Sequence, residues 1–202
     1  MKKSLQLAEQ IMDVLHDGVI MNQHFPMLVT RGISDIGVTV HSHFLTFLAT
    51  VGQYLGFAAV SECPITWSGE YSSLGNVRAD SIWFDRESLM PTAVFEFERF
   101  ERGDETKLRQ KVQNLVIASL ATPSLKIASL VYWVKSGSIP HSMDSVVASY
   151  RNGFRRNGQQ VPGSKVPLII IKCVLRATEC NGLLFGEFLR DELNERLVLG
   201  GI

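Results

Sequence analysis

Apolar residues recur at helical spacing at Leu5, Ala8, Ile11, Met12 and Leu15, and Gly18 closes the run, so residues 4–17 are expected to form an amphipathic helix. Residues 25–40 lack a clear period and read as irregular to strand-like. Ser42 is placed to cap a helix whose apolar face is Phe44, Phe47, Leu48, Val51 and Leu55, with Gly56 at its end. A strand follows at 57–65 (FAAVSECPI), then a turn-rich stretch at 66–76. VRADSIWFD (77–85) and PTAVFEFER (91–99) are the next strands, joined by the short RESLM and so expected to form a hairpin. A helix is expected over 107–120, capped by Thr106, with Leu108, Val112, Leu115 and Val116 on one face. LKIASLVYWVK (125–135) reads as a strand and SGSIPHS as a loop, before a helix over 143–154. RRNGQQVPGSK reads as a second loop, VPLIIIKCVL (166–175) as a buried strand, and 181–198 as a final amphipathic helix.

No internal repeat, low-complexity tract or linker-like shift divides the chain. The expected fold is one α/β domain over 1–202, a mixed sheet flanked by helices. Its core spans about 42–135 as helix, three strands, helix, strand, with helical additions at 1–41 and 136–202.

Composition narrows the picture only a little. The chain has 202 residues, 46% hydrophobic and 20% charged, and its 20 Lys and Arg balance 20 Asp and Glu. A neutral total does not advertise nucleic-acid binding, although a local basic patch suffices for it. Cys63, Cys173 and Cys180 are too few and too scattered for a disulfide framework or a zinc knuckle and read as buried thiols of a reducing compartment. Glu9, Asp13 and Asp17 interrupt the apolar run a signal peptide would need. No Asp, Glu, Lys or Arg lies between Asp35 and Glu62, yet His41, Ser42, His43, Thr46, Thr50 and Gln53 break any run of about 20 apolar residues. A cytoplasmic protein without a membrane span is expected.

The candidate chemistry sits in the hairpin. Alternation puts Glu96 and Glu98 on one strand face with Val94, and Asp80 on the matching face of its neighbour with Ile82 and Phe84. Like charges side by side on a sheet repel unless a positive charge lies between them or water covers them. Three converging carboxylates suit a hard divalent cation, Mg²⁺ or Mn²⁺, with the Phe97 carbonyl completing the shell. The alternative is a solvated strand face with Arg78 paired to a carboxylate.

Asp80 in "RAD" and Glu96-Phe97-Glu98 in "FEFER", with the element order from residue 42 to about 135, resemble the PD-(D/E)XK (restriction-endonuclease-like) nuclease superfamily. The resemblance covers roughly half the chain and departs from the usual pattern at Glu98, which stands at the lysine position. It implies metal-dependent phosphodiester hydrolysis, on DNA in preference to RNA. Asp80 and Glu96 would hold the metal, with Glu98 a third ligand or a general base. Some members recruit a lysine from the following helix, where Lys107 and Lys111 are the candidates and share a face. The same resemblance allows a catalytically degenerate member that binds nucleic acid or protein as a regulatory subunit.

The expected nucleic-acid contacts are Arg78 and Arg99 beside the carboxylates, Gln110 and Gln113 on the helix, and Arg151, Arg155 and Arg156 around Phe154. A homodimer or a partner protein could use the chain's two ends. His41 and His43 stand two apart at a helix start, a spacing that does not aim both at one site, and read as helix-entry or surface residues. Glu62 reads as a surface strand residue or a fourth carboxylate, and Trp67, Trp83 and Trp133 as core.

Overall fold

The apolar run of IASLVYWVK alternates Ile127, Val131 and Trp133 with Ala128, Leu130, Tyr132 and Val134, and the two sets enter two different cores. A strand apolar on both faces belongs at the centre of a sheet covered on both sides. The computed structural model, which describes residues 2–36, 38–65, 74, 77–135, 140–179 and 182–190, places it there.

The elements in chain order are α1 (Lys2–Asp17), α2 (Val19–His24), α3 (Pro26–Thr30), β1 (Ile33–Ser34), α4 (Thr39–Tyr54), β2 (Ala58–Ile65), β3 (Val77–Phe84), β4 (Pro91–Arg99), α5 (Glu105–Ala121), β5 (Ile127–Lys135), α6 (Asp144–Asn152), β6 (Phe154–Arg156), β7 (Gln159–Val161), β8 (Leu168–Ala177) and β9 (Gly182–Arg190). Seven strands form one mixed sheet in the order β1-β9-β8-β5-β4-β3-β2, and β6 and β7 form a separate two-stranded ribbon. β4, β5 and β8 run parallel, while β2–β3, β3–β4, β8–β9 and β1–β9 are antiparallel. The parallel pairs need crossovers. α5 supplies the one from β4 to β5, and α6 with the ribbon lies between β5 and β8.

Helices α1 to α4 pack on the face bearing Trp83, Phe95, Phe97, Val131 and Ile171. Helix α5, α6 and the ribbon's Phe154 and Val161 pack on the opposite face, against Val94, Leu130 and Ile170. The result is an α/β fold with a mixed seven-strand sheet between two helical layers.

Several expectations change. Residues 182–190, expected as part of a C-terminal helix, form β9. Pairing along the outer side of β8 outweighs the helical period there, with Gly186 at the register shift beside Val174. The rest of that expected helix lies outside the described residues, as do Trp67, Cys180 and most of 66–76 and 136–142. RRNGQQV, expected as a loop, closes the β6–β7 hairpin through Asn157 and Gly158, both at positive φ, the backbone of a two-residue primed turn. Helix α4 starts at Thr39, three residues ahead of the expected cap Ser42, and α5 at Glu105, so Thr106 lies inside it. No helix among the described residues is long and apolar enough to cross a membrane.

Helix α4 lies close to the sheet because Gly52 has no side chain. A Cβ there would stand 2.7 Å from the Trp83 ring and 2.8 Å from the Ala59 Cβ. Gly52→Ala is expected to lower stability by about 1–2 kcal/mol in urea denaturation, because overpacking outweighs the gain in helix propensity.

Candidate functional site

The β3–β4 ladder runs from Phe84↔Pro91 to Ser81↔Phe95. Just beyond it, the Phe97 N–H donates to Asp80 Oδ2 at 2.7 Å. A side-chain carboxylate thus takes a main-chain donor of β4. Lys111 Nζ, reaching across from α5, donates to the same oxygen at 2.7 Å and lies 2.7 Å from Glu96 Oε2. Asp80 and Glu96 are buried, with relative exposures of 5% and 1%. Glu96 Oε1 has no hydrogen-bond partner, and Oε2 has only the ammonium, without the alignment of a hydrogen bond. Buried polar groups are ordinarily satisfied, so an orphaned carboxylate beside a charged pair makes Glu96 a candidate functional residue.

Two carboxylates facing one ammonium leave a surplus negative charge away from water. Burial, with Asp80's charge, pushes Glu96 up to about 8 despite the opposing pull of Lys111. Burial works to lower the Lys111 pKa, but the charges of Glu96 and Asp80, with the hydrogen bond to Asp80, outweigh it and raise the value. At neutral pH and without a cation, Lys111 therefore keeps its proton and Glu96 is neutral.

The other Asp80 oxygen faces a different set. His41 Nε2, from the first turn of α4, lies 3.7 Å from Asp80 Oδ1 and 3.8 Å from Glu62 Oε1 of β2. These distances are too long for hydrogen bonds. One ligand atom each from His41, Glu62 and Asp80 fall within 4.8 Å of one another. Ligands at about 2.0–2.2 Å from a common cation stand about 3–4.4 Å apart, a range that both His41 distances meet. The His41 ring lies 5.8 Å from the Phe97 ring, on the α4 side of the sheet.

Glu62 reaches this group through unusual backbone. It sits inside β2 at φ 55, between the pairs Ser61↔Ser81 and Cys63↔Ala79. A left-handed non-glycine residue costs about 1–2 kcal/mol, and such residues gather at functional sites. Arg78 Nε holds its Oε2 at 2.6 Å.

Three expected site residues thus come together, namely Asp80, Glu96 and Lys111. Glu98 does not join Asp80 and Glu96: it is half-buried, its Oε1 accepts the Arg99 N–H at 3.0 Å, and its charge acts on Lys107. Lys107 is turned outward and pairs with Asp104 at 2.8 Å, a correction to its expected catalytic place. The Phe97 unit presents its N–H to Asp80, whereas its carbonyl was expected toward a metal.

Arg99 pairs with Asp35 at 3.1 Å and Glu101 at 2.6 Å and lies over Trp133, and Arg78 is committed to Glu62. Both were expected as nucleic-acid contacts. Gln110 is exposed and Gln113 half-buried on α5; Arg151 and Arg155 are exposed on α6 and the hairpin, and Arg156 is half-buried. His41 stands at the entry of α4 as expected and Glu62 joins Asp80 as the fourth carboxylate weighed for it, but neither was expected to meet the other. The HSH spacing correctly denied a shared site to His41 and His43, but it could not show His41 alone meeting two other elements. No family model, no curated protein and no solved structure matches this chain.

Two outcomes follow. Between the ordinary carboxylate value of 4.5 and about 8, the folded chain keeps a proton on Glu96 that the unfolded chain has released. Stability of the metal-free protein is therefore expected to fall as pH rises through that window. Thermal melts in EDTA should show this slope in wild type and a flatter one in Glu96→Gln, which stays neutral. At Glu62, glycine adopts positive φ without strain, so Glu62→Gly should be more stable than Glu62→Ala by about 1 kcal/mol in urea melts.

Proposed function

We propose that this protein is a metal-dependent nuclease of PD-(D/E)XK type that hydrolyses DNA phosphodiesters. The observation that carries the reading is Lys111, brought by α5 to within 2.7 Å of both the Asp80 and the Glu96 carboxylates. It supplies from the helix the cation that Glu98 replaces on the strand. The order α4, β2, β3, β4, α5, β5, with β3–β4 antiparallel and β4–β5 parallel, supports a restriction-endonuclease-like core. The described cysteines Cys63 and Cys173 are free thiols, in keeping with the cytoplasm.

Asp80, Glu62 and His41 are the residues that would hold a divalent cation, with Glu96 beside them. The chemistry it would supply there is polarisation of a phosphoryl oxygen and a lowered pKa for bound water. Lys111 keeps its proton and offers a fixed positive charge where negative charge develops on the phosphoryl group. Asp80 positions that lysine and ties it to β4 through the Phe97 N–H. Glu96 holds or releases a proton according to the charge next to it. An imidazole in the donor set favours Mn²⁺ or a later transition ion over Mg²⁺, which prefers oxygen ligands alone.

A second reading is a non-catalytic, nucleic-acid-binding member of the fold. The Arg78–Glu62 ion pair favours it, because that arginine occupies one carboxylate of the site.

The test is cleavage of plasmid, linear and single-stranded DNA with Mn²⁺ or Mg²⁺, alongside calorimetric titration of each metal. Wild type is expected to cleave with Mn²⁺ and to stop in EDTA. Glu96→Gln, which should fold at least as well, is expected to lose about 10²-fold or more in rate. His41→Ala is expected to weaken Mn²⁺ binding at least tenfold. A folded protein that binds DNA but cuts none of these substrates would establish the second reading.

A further inference from the structure

The stretch RNGFRRNGQQVPGSK at 151–165 carries four cations and no acidic residue, in a chain whose total charge is zero. Its centre is the β6–β7 hairpin, built rigidly. Gly153 and Gly163 lie so close to the Val161 and Arg151 carbonyls that neither position has room for a side chain. Asn157 and Gly158 turn the tip at φ 50 and 80, and Phe154 and Val161 anchor one face in the α5-side core.

The register Arg155↔Gln160 and Arg156↔Gln159 sets where the polar groups stand. Arg155 and Gln160 are exposed, while Arg156 lies on the Phe154 face and donates from Nη1 to Asn114 Oδ1 of α5 at 3.3 Å. Asn114 is three residues beyond Lys111 and therefore its neighbour on the helix surface. The hairpin is thus tethered one helical turn from the proposed catalytic lysine.

The cations near the carboxylates are committed. Arg78, Arg99, Lys107, Lys111 and Lys135 all pair with Asp or Glu. Among the described residues no ion pair includes Arg155, Arg156 or Lys165. A guanidinium has five N–H donors, so Asn114 leaves Arg156 with donors to spare.

We infer that the β6–β7 hairpin is a DNA-backbone clamp: Arg155 and Arg156 bind phosphates of the strand whose scissile group lies at Lys111. The inference rests on the nuclease reading for the identity of the ligand. Contacts of this kind position the duplex without reading its sequence, and each released counterion makes binding salt-dependent.

The test is equilibrium binding of a fluorescein-labelled duplex DNA in EDTA over a series of salt concentrations, with RNA of matched sequence in parallel. Each lost phosphate contact is expected to lower the slope of log K against log salt by about 0.9, so Arg155→Ala/Arg156→Ala should lower it by about 2. The charge-conserving Arg155→Lys/Arg156→Lys protein should keep most of the wild-type slope, which a purely structural role for the arginines would not produce. An unchanged slope in the alanine protein, with wild type binding DNA, overturns the clamp and leaves the nuclease reading standing. Wild type that binds no DNA overturns both, and tighter binding to the RNA overturns the assignment of DNA.

Discussion

One carboxylate holds the site together. Asp80 Oδ2 accepts both the Phe97 N–H and the Lys111 ammonium, so a strand backbone and a helix from the opposite layer are fixed to a single oxygen. Asp80 Oδ1 faces His41 and Glu62 instead. The two sides of the sheet therefore meet chemically at this residue. A charge buried to this extent is tolerable only with such partners, because removing one partner of a buried pair typically costs about 3–5 kcal/mol.

The same arrangement leaves Glu96 poorly served. It is almost completely buried, one of its oxygens lacks any partner, and its pKa is pushed up to about 8. Glu62 adds a second unfavourable element through its left-handed backbone. Both costs fall on residues next to Asp80, and the packed cores on the two sheet faces offset them. Local strain and incomplete solvation concentrated at one point support the cation site proposed for these residues.

The layout of cations follows from the same economy. Lysines and arginines that start near carboxylates are neutralised by them, which is why Arg78 and Arg99 no longer stand ready for a phosphate. The excursion between β5 and β8 has no acidic residue from 151 to 165 to neutralise it. Its hairpin therefore keeps its positive field, beside the helix that carries Lys111.

How much of this was legible depended on the range of the interactions. The strands at 77–85, 91–99 and 125–135, the helices around 42–55 and 107–120, and the positions of Asp80 and Glu96 follow from periodicity, which is a local property. The helix period of 181–198 misled over 182–190 because the open side of β8 offers hydrogen bonds that no local pattern records. Sequence placed Glu98 with Asp80 by alternation alone, but β3 and β4 stop pairing at Ser81↔Phe95, and Asp80 turns to Phe97 and Lys111 instead. Choosing Lys111 over Lys107 depended on where α5 lies over β3 and β4, and including His41 depended on where α4 enters. The sequence by itself determined the sheet-forming strands and the acidic residues they carry, since burial and alternation act between near neighbours. Only the tertiary structure decided which cation and which imidazole meet those acids, because such contacts join different elements 15 to 39 positions apart and are set by how helices pack on the sheet.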